Sequence, residues 1–270
     1  IAELRADSIV GVDAETVFAL LLLAAGVTRS ALFPFHRWLT ATLYAPTPVS
    51  ALVHAGFVAG AGLLLIRFAP TFAAVDAAVV IAVVIAIGTI AIGTGASLTR
   101  PDVKGALAWS TVAQMAFMVL QVAVGAFSGA VVHIVGHGMY KAGQFLGAGD
   151  TVSAGLRKRR RPMAEEEVGS GLRTALTLLI PTVGVTAGLV VGPTDLGDAE
   201  RILLVGFAWL AIAAGVRGAL VAGTLTPAVA AGTAAVGGVT AGVAYFLGLR
   251  VMKAFFEPSL GSIDVDGTIG

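Results

Sequence analysis

Residues 131–150 read "VVHIVGHGMYKAGQFLGAGD", an apolar stretch in which His133, His137 and Lys141 recur every four residues. A step of four drifts about 40° around an α-helix, so the three ionisable groups share one inward face, about 6 Å apart along the axis. Neighbours at that spacing can be linked by one or two waters. Histidine titrates near neutrality and a desolvated lysine can lose its proton, so a His, water and Lys line can pass protons. The same pattern admits two other uses. His-xxx-His can chelate a metal, but "HIVGH" holds no Glu or Asp, so the zinc-protease form is absent. A single histidine can also serve as a structural interhelical hydrogen bond.

Composition sets the environment of this stretch. Of 270 residues, 57% are hydrophobic and 12% charged, against about 25% charged in an ordinary soluble domain. That is too little charge to cover a soluble surface, and apolar segments of about 20 residues, enough to cross a hydrocarbon core of roughly 30 Å, recur down the whole length. The expected fold is all-α, a polytopic transmembrane helical bundle with about eight membrane segments. They fall near residues 14–33, 48–68, 74–98, 104–124, 128–150, 171–192, 201–221 and 226–248. A net charge of +1 with scattered basic residues carries no nucleic-acid signal. Zero cysteines exclude disulfides, thiolate nucleophiles and cysteine-ligated clusters. Haem or quinone contacts stay open, but no cofactor or metal is expected in this chain. The first residue is not Met and no basic leader follows, so the start reads as part of something longer rather than as a signal peptide.

Between the fifth and sixth segments lies the long polar insert "LRKRRRPMAEEEVGSG". It divides the chain into residues 1–150, a loop at 151–170, and C-terminal transmembrane helices with a tail at 171–270. Short cytoplasmic loops are enriched in Lys and Arg, which puts Arg157–Arg161 on the cytoplasmic side of the cell membrane. Counting spans from there places Arg37, Arg100, Lys104 and Arg217 on that side, and Asp195, Asp198 and Glu200 on the other. Arg250 and Lys253 break the pattern: either the last segment is not a full span or the tail lies along the membrane. Polybasic segments also bind anionic lipid. Gly-xxx-Gly pairs at Gly56 and Gly60, Gly125 and Gly129, Gly184 and Gly188, and Gly238 and Gly242 let helix backbones approach closely in lipid. A discontinuity is expected at residues 33–48, rich in proline, and a kink or break at Pro181, which removes a backbone hydrogen bond mid-segment.

A charged side chain at the bilayer centre costs about 2.5 to 3.5 kcal/mol on insertion scales, so it persists where it faces protein or water. Besides the triplet, His54 follows "APTPVSALVH", where Pro46 and Pro48 precede the helix and Ser50 can help satisfy its first turn. Arg29, near the end of the first segment, can snorkel. In "WSTVAQM", Ser110, Thr111 and Gln114 stand on one helix, able to bond neighbours or water.

Together "RSALFPFHRWLTATLYAPTPVSALVHAG", "PDVKGALAWSTVAQMAFM" and "HIVGHGMYKAGQFLGAGD" resemble the proton-conducting, antiporter-like membrane subunits. These are the L-type subunit of respiratory complex I, the large Mrp antiporter subunit, and the membrane subunit of DAB inorganic-carbon uptake complexes. The resemblance covers about residues 25–150. It implies a polar axis near the bilayer midplane, along which protons move in concert with partner subunits, with His54 as a bridging histidine and His133, His137 and Lys141 as the central relay. Arg29 falls where the family usually has lysine. Arginine stays protonated, so it can act as a fixed electrostatic modulator but not as a carrier. The family's earlier helices, one bearing a glutamate that pairs with that basic residue, have no counterpart here, nor does a lysine near Pro181. Those departures look more like the DAB-type branch, where proton entry would drive a soluble zinc-containing partner that captures carbon dioxide or bicarbonate. The reading adopted is the broad one, which covers the respiratory and carbon-uptake branches alike. The alternatives are a structural membrane subunit without a working channel and a Na⁺/H⁺ antiporter subunit; a quinone-dependent redox enzyme comes last.

Overall fold

A computed structural model describes residues 8–9, 12–148, 169–194, 196–221 and 226–260. The basic cluster Arg157–Arg161, the loop that holds it and Asp195 lie outside the described residues. The chain divides into two compact units, one of Ile1–Val152 with Glu257–Gly270 and one of Ser153–Phe256.

In the first unit a two-residue antiparallel ladder, β1 (Ser8–Ile9) with β2 (Val12–Asp13), precedes α1 (Ala14–Arg29). The chain then breaks up, as the prolines predict. A short α2 (Arg37–Ala41) and a 3-10 turn (Thr42–Tyr44) lead to α3 (Thr47–Ala55), with Pro48 in its first turn. A second 3-10 turn, Phe57–Ala59, separates α3 from α4 (Gly60–Arg67). After α5 (Ala69–Ala73) come three long helices, α6 (Asp76–Thr99), α7 (Val103–Ala123) and α8 (Phe127–Ala148).

Each helix buries the stripe its sequence provides. On α6 that stripe is Ala78, Ala82, Ala86, Thr89 and Gly93, small residues at helical spacing, while Val80, Ile81, Val84 and Ile87 stay exposed, as a lipid-facing surface requires. Asp102 caps α7, its carboxylate accepting from the Gly105 amide at 2.6 Å, and the Lys104 ammonium donates to the Ala45 carbonyl at 3.1 Å. Leu22, Leu65, Phe72, Met115, Met118 and Val119 fill the core between α1, α4 and α7.

The second unit contains α9 (Ser170–Val191), α10 (Asp198–Val221) and most of α11 (Pro227–Leu260). Of the kink or break expected at Pro181, the break does not occur: α9 runs through it as continuous helix. One missing N–H does not break a helix whose flanking turns keep their bonds. Of the four Gly-xxx-Gly pairs, two meet each other. A methyl added at Gly184 would stand 2.6 Å from the Gly238 carbonyl oxygen, and one at Gly188 2.6 Å from that of Gly242. The other two serve differently. Gly56 and Gly60 flank the 3-10 turn, and Gly125 takes the α7–α8 turn at φ 79°.

Among the described residues, six helices are long and apolar enough to cross a membrane: Thr47–Arg67 taken through its 3-10 turn, α6, α7, α9, α10 and Pro227–Phe255. The other two expected segments correspond to α1, which has 16 residues, and α8, whose length suffices but whose composition includes the His/Lys triplet.

Candidate functional site

The polar line is built where α8 packs against α3 and α7. His54, His133, His137 and Lys141 are 0%, 8%, 5% and 1% exposed, so the shared face of α8 points into protein. The α7–α8 hairpin runs antiparallel, which sets residues on the two helices opposite each other at a nearly constant sum of numbers. At one end Lys141 Nζ donates to Ser110 Oγ at 2.6 Å and to the Leu107 carbonyl at 3.2 Å. At the other, His133 Nδ1 meets Gln121 Oε1 at 2.9 Å. Between them stands His137, its ring 5.8 Å from that of His133.

His137 is held from α3. Its Nε2 donates to the backbone carbonyl of His54 at 3.0 Å. In an unbroken helix that carbonyl would accept from the Val58 amide; the 3-10 turn at Phe57–Ala59 releases it. The helix break and the histidine contact are therefore one feature. The His54 ring stacks on Phe145 with centroids 4.4 Å apart, and its Nε2 lies 3.2 Å from Thr42 Oγ1. That hydroxyl's one proton goes to the Leu39 carbonyl at 2.6 Å, so His54 Nε2 is the donor and its buried Nδ1, which has no partner, keeps a lone pair.

The supporting polar residues separate. Ser110 joins the line through Lys141. Thr111 is fully buried but bonds its own helix, Oγ1 to the Leu107 carbonyl at 2.9 Å. Gln114 leaves its Oε1 buried without a hydrogen bond, at a register between Ser110 and Gln121. Arg29 does not reach the line. It is exposed, its guanidinium 3.8 Å above the Phe57 ring and its stem laid over Gly60, and no ion pair to it occurs among the described residues. Ser30 beside it, fully buried, ties α1 to the helix break: its Oγ donates to the Val58 carbonyl at 2.5 Å and accepts from the Ala61 amide at 2.9 Å.

Gln121 and Thr42 are the participants that sequence reading missed. Ser110, Gln114 and Gln121 stand at i, i+4 and i+11, one stripe of a helix, and that period was the signal for Gln121. Nothing local signals Thr42.

With the site in view, comparison with known proteins is informative. Residues 5–186 match the family described as NADH:quinone oxidoreductase/Mrp antiporter, TM. The chain belongs to this family. The match continues past the motif-bearing residues into α9. Among curated relatives, the probable inorganic carbon transporter subunit DabB2 of Halothiobacillus neapolitanus is 38% identical over 64% of this chain and 31% of its own length. The probable inorganic carbon transporter subunit DabB of Bacillus subtilis is 43% identical over 51% of the chain and 27% of its own. NAD(P)H-quinone oxidoreductase chain 5 of Picosynechococcus is 34% identical over 63% and 27%. The chain thus spans less than a third of the length of these relatives. In fold, it is similar to a chain of the Mrp complex from Dietzia, with a TM-score of 0.54 at 22% identity, covering 95% of this chain and 30% of that one. The protein is a multi-pass membrane chain of the antiporter-like family.

Proposed function

We propose that this chain conducts protons within a larger membrane assembly, using Lys141, His137, His133 and His54 as a buried relay. The observation that carries the reading is the burial of three histidines and a lysine along one contact line between α3, α7 and α8. Ions inside a membrane protein are retained where they serve transport. Lys141 is held by two uncharged oxygens, so its proton can leave without breaking an ion pair. His137 and His54 each keep a nitrogen lone pair to receive one.

The higher identity to inorganic carbon transporter subunits than to quinone oxidoreductase chains supports the DAB-type branch. On that reading the chain sits in the cell membrane with residues 151–170 cytoplasmic, beside other membrane subunits and a soluble zinc protein whose carbon capture the proton current drives. A structural subunit without a working channel is the second reading, favoured by the exposure of Arg29 and its packing on Phe57 rather than on a carboxylate.

Reconstituting the intact assembly in vesicles that enclose a pH-sensitive dye separates the two. Lys141→Ala should abolish coupled proton uptake while the subunit stays in the assembly. Uptake at the wild-type rate would establish the structural reading instead, and a sodium requirement would point to Na⁺/H⁺ exchange.

A further inference from the structure

Resting on the relay reading above, we propose that Gln121 is a positioning residue that sets which nitrogen of His133 carries the proton. Gln121 is fully buried at the last turn of α7. Its own carbonyl accepts from the Ala126 amide at 2.8 Å, which fixes the residue to the α7–α8 turn. Its side-chain oxygen then lies 2.9 Å from His133 Nδ1, six residues into α8. An amide oxygen only accepts, so Nδ1 bears the hydrogen and Nε2 keeps the lone pair in the neutral ring.

The neighbouring histidine is fixed the opposite way. The backbone carbonyl of His54 also only accepts, so His137 is protonated on Nε2 and keeps its lone pair on Nδ1. Two adjacent rings thus carry opposite tautomers, each imposed by a partner that does not titrate.

This arrangement governs how a proton crosses His133. Taking one at Nε2 gives an imidazolium, and releasing the one on Nδ1 would leave that lone pair facing the Gln121 oxygen. A half-turn of the carboxamide removes the conflict, because its NH₂ then donates to Nδ1. The buried Nε2 of Gln121 has no hydrogen bond at present, so the turn breaks no existing bond on that atom. Glutamine serves where leucine, which offers neither face, or glutamate, which offers only oxygens, would not.

The test is ¹⁵N NMR of the histidine-labelled full chain in lipid nanodiscs, with His133→Asn identifying the His133 signals among those of the four histidines. The expected wild-type signature is a protonated Nδ1 with an unprotonated Nε2. Gln121→Leu should convert it to a mixture of tautomers. Gln121→Glu, nearly the same shape, should shift both nitrogens to the protonated position and slow proton uptake by the assembled complex. A wild-type His133 protonated on Nε2, or identical shifts in wild type and Gln121→Leu, overturns the proposal. Altered tautomers in Gln121→Leu with uptake unchanged would leave the positioning role standing and remove the relay reading instead.

Discussion

At the scale of single residues, Lys141 is among the largest side chains fully buried within the described residues. It is a lysine with 1% exposure whose ammonium rests on Ser110 Oγ and the Leu107 carbonyl. Ser110→Ala removes the shorter of these contacts and leaves a buried donor one acceptor short. The expected cost is about 1 to 3 kcal/mol, read as a lower unfolding temperature in detergent together with reduced proton uptake. An unchanged unfolding temperature would mean that the hydroxyl does not hold the ammonium. The triplet was legible in the sequence because it repeats with the period of a helix inside an apolar run, where charge has few reasons to occur. Its partners were less so. Gln121 is polar but uncharged, and its role depends on the register of a hairpin that no single helix encodes. Thr42 and the His54 carbonyl matter only because the chain between α2 and α4 is irregular, and a backbone carbonyl leaves no mark on sequence at all. Arg29 shows the converse: its position in a family motif was plain, yet the described structure gives it an aromatic ring and an exposed position.

At the scale of elements, two sequence signals for discontinuity had different outcomes. Proline at 181 sits inside an intact α9, whereas the interruption between α3 and α4 centres on Gly56 and a 3-10 turn with no proline nearby. Proline removes one donor, and a helix tolerates that loss. The 3-10 turn changes the pairing of successive carbonyls, and His137 bonds the one set free. Two of the four glycine pairs proved to be close helix contacts, and their partners were not legible, since spacing says that a helix has a flat face without saying what meets it. The contact of α9 with α11 gives a direct check. A methyl at Gly242 would collide with the Gly184 backbone, while one at Gly237, on the same helix, meets nothing within 4 Å. Gly242→Ala should therefore destabilise by about 1 to 3 kcal/mol, in the range of overpacking. Gly237→Ala should be neutral or slightly stabilising, since alanine is the better helix former. Both are read from thermal unfolding in the same detergent, and equal behaviour of the two variants would contradict the close crossing. At the start of α7, Asp102→Ala removes the cap on Gly105 and should lower stability by about 1 kcal/mol in the same assay.

At the scale of the whole molecule, α8 decides how many times the chain crosses the bilayer. Composition alone does not mark α8 as a span, because two histidines and a lysine lower its hydropathy. Hydropathy averages over faces, however, and the faces of α8 differ. Its three ionisable groups are buried, while Val135, Met139, Tyr140 and Leu146 are exposed, so the surface offered to lipid is apolar. Its 22 residues reach about 33 Å as a helix, enough for the hydrocarbon core. If α8 crosses, three spans, α7, α8 and α9, separate the connection before α7 from the connection before α10, and these must lie on opposite sides. If it does not, two spans separate them and they share a side. The chain contains no cysteine, so single cysteines can be introduced without removing any. With Pro101→Cys and Gly197→Cys in separate variants, a membrane-impermeant maleimide applied to intact cells should label Gly197→Cys alone. Pro101→Cys should react only after the membrane is opened, which also puts Arg100 and Lys104 on the cytoplasmic side, as the excess of basic residues requires. Labelling of both from outside, or of neither, would take α8 out of the membrane and leave its histidines and lysine with no gradient to carry.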